Sequence, residues 1–161
     1  MRRGEKSVLI LIAGLVVGMM AWNAYQQHDR GANDNTIPFY SDASVEVSQH
    51  AGELLRRHEC RSCHTLWTIR DMLRSVPAPA LDGIGSLRDQ EWLYTYLSAQ
   101  NPQEILPSRL KREYQMPSYA GMPEQDRRIL AEYLSGLKVK DWYLKETRIA
   151  ECSKLTGNAC E

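Results

Sequence analysis

The string Cys60-Arg61-Ser62-Cys63-His64 places two thiols and an imidazole within five residues. This C-x-x-C-H spacing is typical of covalent haem attachment, in which both thiols add to the vinyl groups on one edge of a porphyrin. A short helical turn would hold both sulfurs toward that edge and bring His64 under the iron as its proximal ligand. The sequence therefore predicts one covalent haem c, bound through Cys60, Cys63 and His64.

Two other chemistries use closely spaced cysteines, and the rest of the chain favours neither of them. A zinc site needs a second close pair of Cys or His, but the other two cysteines, Cys152 and Cys160, lack the C-x-x-C spacing. A thioredoxin-like redox pair expects a strand before the motif, whereas the residues before Cys60 predict an amphipathic helix. Haem attachment is therefore the preferred interpretation.

The elements around the motif have to position it. Ser44 is predicted to cap a helix from about Val45 to Arg57, whose apolar side chains recur near one face. The stretch 77–85 is rich in proline and glycine and is typical of fixed turns. A backbone carbonyl there, for which Pro79 is the candidate, is predicted to accept the proton of the second ring nitrogen of His64 and so fix its tautomer.

Two more helices are predicted after these turns. The first runs from Asp89 to Gln100 and is stopped by Asn101-Pro102. The second begins at Pro123 and continues to about Leu137, with an apolar face. Residues 138–161 form a charged C-terminal extension.

A second iron ligand is expected on the far face of the haem, and a methionine thioether there would raise the reduction potential. Met116 is favoured because Pro117 follows it, lacks a backbone donor and stiffens the approach. Met122 adjoins the last helix and is the next candidate. The remaining candidates, which lie close to the attachment turn or on the helix leading into it, are Met72, His50 and His58.

The N-terminus predicts a membrane anchor over residues 1–27. The 21 residues from Ser7 to Gln27 carry no charge and would span about 31 Å as a helix, enough to cross the hydrocarbon core. The basic residues before them are expected to stay in the cytoplasm. A cleaved signal peptide is the alternative, but the small-residue cleavage pattern is poor. Residues 28–44 are predicted to be a flexible tether.

These features predict a single-pass protein of the inner membrane, in contact with membrane lipid, with its haem domain in the periplasm. Gly14 and Gly18 are a candidate face for other transmembrane subunits. A disulfide between Cys152 and Cys160 would use all four cysteines and implies an oxidising compartment. The net charge of zero gives no case for a nucleic-acid partner.

Residues 45–137 resemble a class I cytochrome c domain. The features that carry the resemblance are, in order, Gly52 eight residues before Cys60, the Cys60–His64 motif, the Pro79-x-Leu81-x-Gly83 turn, Trp92 with Tyr96-Leu97, Asn101-Pro102, Met116, and a closing helix with Tyr133. The resemblance implies an all-α fold around one haem c, with the first and last helices crossing near Gly52 and Tyr133. It also implies that His64 and Met116 are the axial ligands.

With both axial positions filled, the iron has no open site, so the expected activity is one-electron transfer rather than catalysis. The predicted function is an anchored carrier between a quinol-oxidising complex and a terminal oxidase or photosynthetic reaction centre. The alternative is a fixed haem c subunit of a larger membrane oxidoreductase, of terminal oxidase or nitric oxide reductase type. A third class is a haem-based sensor or peroxidase, in which a ligand displaces Met116.

Overall fold

The structure is a computed structural model that describes residue 12 and residues 14–22, 37–67, 76 and 78–161. Two compact units divide the chain, Met1–Ile37 and Pro38–Glu161. The regular elements of the second unit are, in chain order, β1 (Phe39–Ser41), α1 (Val45–Arg57), α2 (Gln90–Ser98), α3 (Pro102–Ile105), α4 (Glu124–Ser135), β2 (Leu137–Val139) and α5 (Leu144–Thr156).

The prediction of an N-terminal membrane-spanning helix is wrong. Within the segment 7–27 the structure describes Ile12 and residues 14–22, which are helical, and the rest of the segment lies outside the described residues. A helix needs about 20 apolar residues to cross the hydrocarbon core, and no helix of the described residues is both long and apolar enough. The fold class with a transmembrane helix and the single-pass inner-membrane location are corrected on this ground.

Helix α1 leads directly into the Cys60–His64 motif, the predicted site of haem attachment, which we call the attachment motif. Ser44 caps its N-terminus as predicted, with the side-chain oxygen accepting a hydrogen bond from the Val47 amide at 3.2 Å. The helix buries Ala51, Leu54 and Leu55 on one face, and this face packs against α4. The apolar periodicity of the sequence therefore fixes the rotation of the helix that carries the motif.

Gly52 does not lie at the crossing of α1 with α4. A Cβ at this position would meet no other atom within 4 Å, so the glycine permits no close approach. Gly52 is exposed, whereas the adjacent Ala51 is fully buried. The first and last helices of the predicted domain do pack together, but Ala51 rather than Gly52 is on the buried face of α1.

Asp89 caps the N-terminus of helix α2, and its carboxylate accepts a hydrogen bond from the Trp92 amide at 2.8 Å. Its buried side chains are Leu93 and Leu97, and the helix packs against α4. Helix α4 therefore packs against both α1 and α2. Its own buried residues are Leu130, Ala131, Tyr133 and Leu134.

The turn Ile84–Ser86 approaches the C-terminal end of α4 so closely that only glycine fits at its centre. A Cβ on Gly85 would overlap the carbonyl oxygen of Ser135 and lie 2.5 Å from the carbonyl carbon. Lys138 Nζ donates to the Gly85 carbonyl at 2.7 Å. These contacts hold in place the turn that follows Pro79 and Leu81.

The prediction of a purely helical fold is also corrected, because β1 and β2 form a small antiparallel sheet. Phe39 lies opposite Val139, and Ser41 opposite Leu137. The sequence pattern predicts a tether over 28–44, but residues 39–41 are paired; residues 28–36 lie outside the described residues. Each strand has three residues, which is too short for an alternating apolar pattern to be recognised.

The C-terminal extension folds back on the domain as helix α5. It follows a short turn at Asp141–Tyr143 and ends at Gly157, which has a positive φ of 77°. The predicted disulfide between Cys152 and Cys160 is present, with 6.1 Å between the Cα atoms. It links the last turns of α5 to the residues that follow Gly157.

Candidate cofactor site

The attachment motif forms a single tight turn after α1. Glu59 takes a positive φ of 50°, and residues Cys60–Ser62 then form a short 3₁₀ helix. The His64 amide donates to the Cys60 carbonyl at 3.0 Å, which closes the turn. Cys60 and Cys63 are free thiols, both half-buried, and they line one cavity together with His64. The turn thus brings the three predicted attachment residues to one site.

The imidazole of His64 is held by the predicted backbone carbonyl. Nδ1 lies 2.7 Å from the Pro79 oxygen, and because a carbonyl can only accept, Nδ1 carries the proton and Nε2 has a free lone pair. The Leu81 amide donates to the Thr65 carbonyl at 2.8 Å, which keeps this segment beside His64. A neutral imidazole oriented in this way is a ready metal ligand.

Burial lowers the pKa of His64, and the hydrogen bond to the Pro79 carbonyl opposes this effect. The ring is therefore neutral at neutral pH, as iron coordination requires. Burial raises the pKa of the Cys60 thiol, an effect that the hydrogen bond with Tyr119 reduces. Reactive redox thiols usually have a lowered pKa, so the surroundings of Cys60 do not favour thiol–disulfide chemistry.

The cavity beside these residues is mostly apolar. Turns and helix α2 supply one part of its wall, which consists of Leu81, Ile84, Trp92, Leu93, Tyr96 and Leu97. Tyr96 is partly shielded from solvent, and this burial raises the pKa of its hydroxyl. An apolar wall of this kind suits a large flat hydrophobic group and keeps water away from it.

The candidates for the second ligand are placed differently by the structure. Met116 is half-buried and lines the cavity, whereas Met122 is 7% exposed and belongs to the core. His58 also lines the cavity, with its ring 5.7 Å from that of Tyr119. His50 is exposed on α1. Met72 lies outside the described residues.

The C-terminal extension contributes to the cavity wall, which the sequence does not predict. Glu151, Lys154 and Leu155 of α5 line the cavity. Glu151 pairs with Arg88 at 3.0 Å, and both side chains are mostly buried. The Arg88 guanidinium also lies 4.9 Å from the centre of the Trp92 ring.

A second arginine joins α5 to the loop before Met116. Arg109 Nε donates to the Lys154 carbonyl at 3.2 Å, and its side chain lies against Gly157, where a Cβ would come within 2.9 Å of it. No signal in the sequence links residue 109 to residue 154, because the contact depends on how α5 folds back.

The residues around the cavity fit a c-type haem. Two thiols at one edge, an oriented neutral imidazole and a thioether at the wall are the donor set that this cofactor uses. Within the described ranges, no three or more His, Cys, Asp or Glu side chains gather as a self-contained metal site.

Compared with protein-family models, with curated proteins and with solved structures, the chain matches none of them. The resemblance to class I cytochromes c therefore stays a prediction from the sequence motifs.

Proposed function

We propose that this chain is a mono-haem c-type cytochrome that carries single electrons. The observation that supports this proposal best is the hydrogen bond between His64 Nδ1 and the Pro79 carbonyl at 2.7 Å. It leaves Nε2 free on a cavity that also has Cys60, Cys63 and Met116 in its wall. Nothing in a thiol redox pair would need a histidine oriented in this way.

When bound, a haem supplies an iron that changes between Fe(II) and Fe(III) by one electron. The side chains of this chain would set the conditions for that change. His64 offers a neutral nitrogen whose basicity the Pro79 hydrogen bond increases. Met116 offers a soft neutral thioether, which favours Fe(II) and raises the potential.

The rest of the cavity would limit the reorganisation that accompanies each electron. The side chains of Leu93 and Leu97 are buried against α4, and they exclude water from one side of the site. Cys60 and Cys63 lie at its edge and are half-buried. The edge that they would bind is then the nearest approach for a redox partner. We propose a quinol-oxidising complex as the donor, and a terminal oxidase or photosynthetic reaction centre as the acceptor.

The test is to produce the full chain in a bacterium that matures c-type cytochromes and to purify it without adding haem. We expect a chain mass increased by one covalently bound tetrapyrrole and a sharp alpha band in the reduced visible spectrum. A mass without tetrapyrrole contradicts the proposal. Carbon monoxide binding to the reduced protein at neutral pH would instead indicate a sensor or peroxidase. Co-purification of the chain from its native source with other subunits would indicate a fixed subunit of a larger complex.

A further inference from the structure

Met116 lies in a stretch that has no regular secondary structure. Between the short turn Arg112–Tyr114 and helix α4 there is neither helix nor strand. Pro117 follows Met116 and has no amide proton to donate. The position of the Met116 side chain therefore depends on bonds that other parts of the chain make to this loop.

The side chain of Gln103 makes one of these bonds directly to Met116. Its Nε2 donates to the Met116 carbonyl at 2.9 Å. Gln103 is half-buried and lines the same cavity as Met116.

The backbone around Gln103 is held by hydrogen bonds within the chain. It is the second residue of the short helix α3, which begins at the buried Pro102. The Leu106 amide donates to the Pro102 carbonyl at 2.9 Å, and the Glu104 amide donates to the Asn101 carbonyl at 3.1 Å. These bonds fix the backbone of α3, from which the Gln103 side chain reaches the loop.

A second hydrogen bond joins the loop to the chain just before α3. Ser118 Oγ donates to the Ala99 carbonyl at 2.8 Å, just after the end of α2. The two residues on either side of Pro117 are therefore tied to residues 99 and 103. This arrangement fixes where the loop passes the cavity, and Gln103 contacts the residue whose side chain lies in the cavity wall.

We propose that Gln103 is a positioning residue that keeps the Met116 thioether at the cavity and so determines how firmly Met116 binds the iron. This inference rests on the proposed function, because it needs Met116 to be an axial ligand. A hydrogen bond of ordinary strength would change the equilibrium between bound and displaced Met116 by about two- to tenfold.

The experiment compares Gln103→Glu with the wild-type haem protein. Glutamate has the size of glutamine, but its ionised carboxylate cannot donate to the Met116 carbonyl. Imidazole is titrated into each ferric protein, and the loss of the near-infrared Met–Fe charge-transfer band is followed. We expect Gln103→Glu to lose the band at an imidazole concentration about two- to tenfold lower.

Gln100→Glu is the matched control, because it makes the same change of charge at an exposed position just before α3. We expect it to titrate like the wild type. Gln103→Leu removes the donor without adding a charge, and it serves if Gln103→Glu does not fold. Wild-type affinity for imidazole in both Gln103 variants overturns the inference while the proposed function stands. A wild-type protein with haem but no Met–Fe band overturns both the inference and the assignment of Met116.

Discussion

The two sides of the cavity are built from different kinds of chain. On one side, the thiols and His64 come from five consecutive residues, and backbone bonds fix them: the His64 amide to the Cys60 carbonyl, and the Leu81 amide to the Thr65 carbonyl. The other side is assembled from three separate segments of the chain, which are α3, the loop with Met116 and helix α5. Side-chain bonds such as Gln103 to Met116 hold these segments together.

This difference has a physical consequence for how the two sides respond to substitution. Backbone bonds within a turn do not depend directly on side-chain identity, so the turn that contains Cys60, Cys63 and His64 should tolerate more substitutions at its other positions. The loop with Met116 is held by a few side-chain hydrogen bonds, so removing one donor should weaken its hold on that position. The side that contains Met116 is therefore where small changes in sequence should alter the properties of the proposed haem.

The largest effect is expected from removing the two thiols on the side formed by residues 60–64. The double variant Cys60→Ala, Cys63→Ala has no sulfur to form a thioether, so it should contain no covalent haem at all. The mass of the intact chain and haem staining after denaturing electrophoresis measure this loss. The variant Cys152→Ala, Cys160→Ala is the control and should keep its haem. Covalent tetrapyrrole in the Cys60, Cys63 variant would contradict the assignment.

The next largest effect is expected from removing the thioether of Met116 on the other side of the cavity. Met116→Ala should open one axial position, lose the near-infrared Met–Fe band and lower the reduction potential, because a thioether favours Fe(II). Potentiometry and near-infrared absorption of the purified haem protein measure both changes.

Met122→Ala is the matched control for this prediction. Met122 is buried in the core, so its truncation should lower the free energy of unfolding by about 2–5 kcal/mol and leave the Met–Fe band unchanged. If the band were lost in Met122→Ala and kept in Met116→Ala, the two roles would be reversed.

A smaller effect is expected from loosening α5. The disulfide between Cys152 and Cys160 closes a loop with a sequence separation of eight. Its removal in Cys152→Ser, Cys160→Ser should lower the free energy of unfolding by about 2–3 kcal/mol, through the larger entropy of the unfolded chain. Denaturant unfolding of the haem protein measures this change. Two titratable thiols in the oxidised wild-type protein would show that the disulfide does not form in solution.

The smallest effect is expected at Glu124 and Arg128 of α4, which do not line the cavity. The hydrogen bond and charge of Arg128, whose Nη2 lies 2.7 Å from Oε1 of Glu124, hold the pKa of Glu124 below its ordinary value. The pKa of Glu124 is therefore higher in the unfolded chain than in the folded chain. The ion pair with Arg128 stabilises the folded state above about pH 4.3, and this stabilisation is lost as the pH falls through the folded pKa of Glu124.

Arg128→Gln should therefore raise the pKa of Glu124 toward its ordinary value, as followed by NMR titration of the carboxyl carbon. Arg57→Gln removes a comparable ion pair with Glu53 on α1 and should leave the pKa of Glu124 unchanged. An unchanged pKa in Arg128→Gln would mean that the exposed pair does not persist in solution.

The contrast between the two sides also explains which features can be predicted from the sequence. The attachment turn, the Ser44 cap and the hydrogen bond from His64 to Pro79 depend on short segments whose residue types limit the backbone. Helix α5 has no fully buried residue, so no apolar stripe marks it. The pair of Arg88 and Glu151 joins distant positions, and only the folded chain brings them together.

The errors have physical reasons as well. An uncharged N-terminal stretch satisfies a composition rule for membrane crossing, but no helix of the described residues is both long and apolar enough to cross. Gly52 matches a family position, but the face on which a glycine lies depends on the rotation of its helix. Here the buried face of α1 contains Ala51 instead.

The fold of the last 24 residues matters for anyone who shortens this protein. A chain cut after Leu137 would lose most of β2 and the whole of α5, and with them the partner of Arg88. The guanidinium would then remain over Trp92 without its carboxylate, next to a cavity open along one wall. A trimmed domain could therefore keep Cys60, Cys63 and His64 and still surround the proposed haem differently from the full chain.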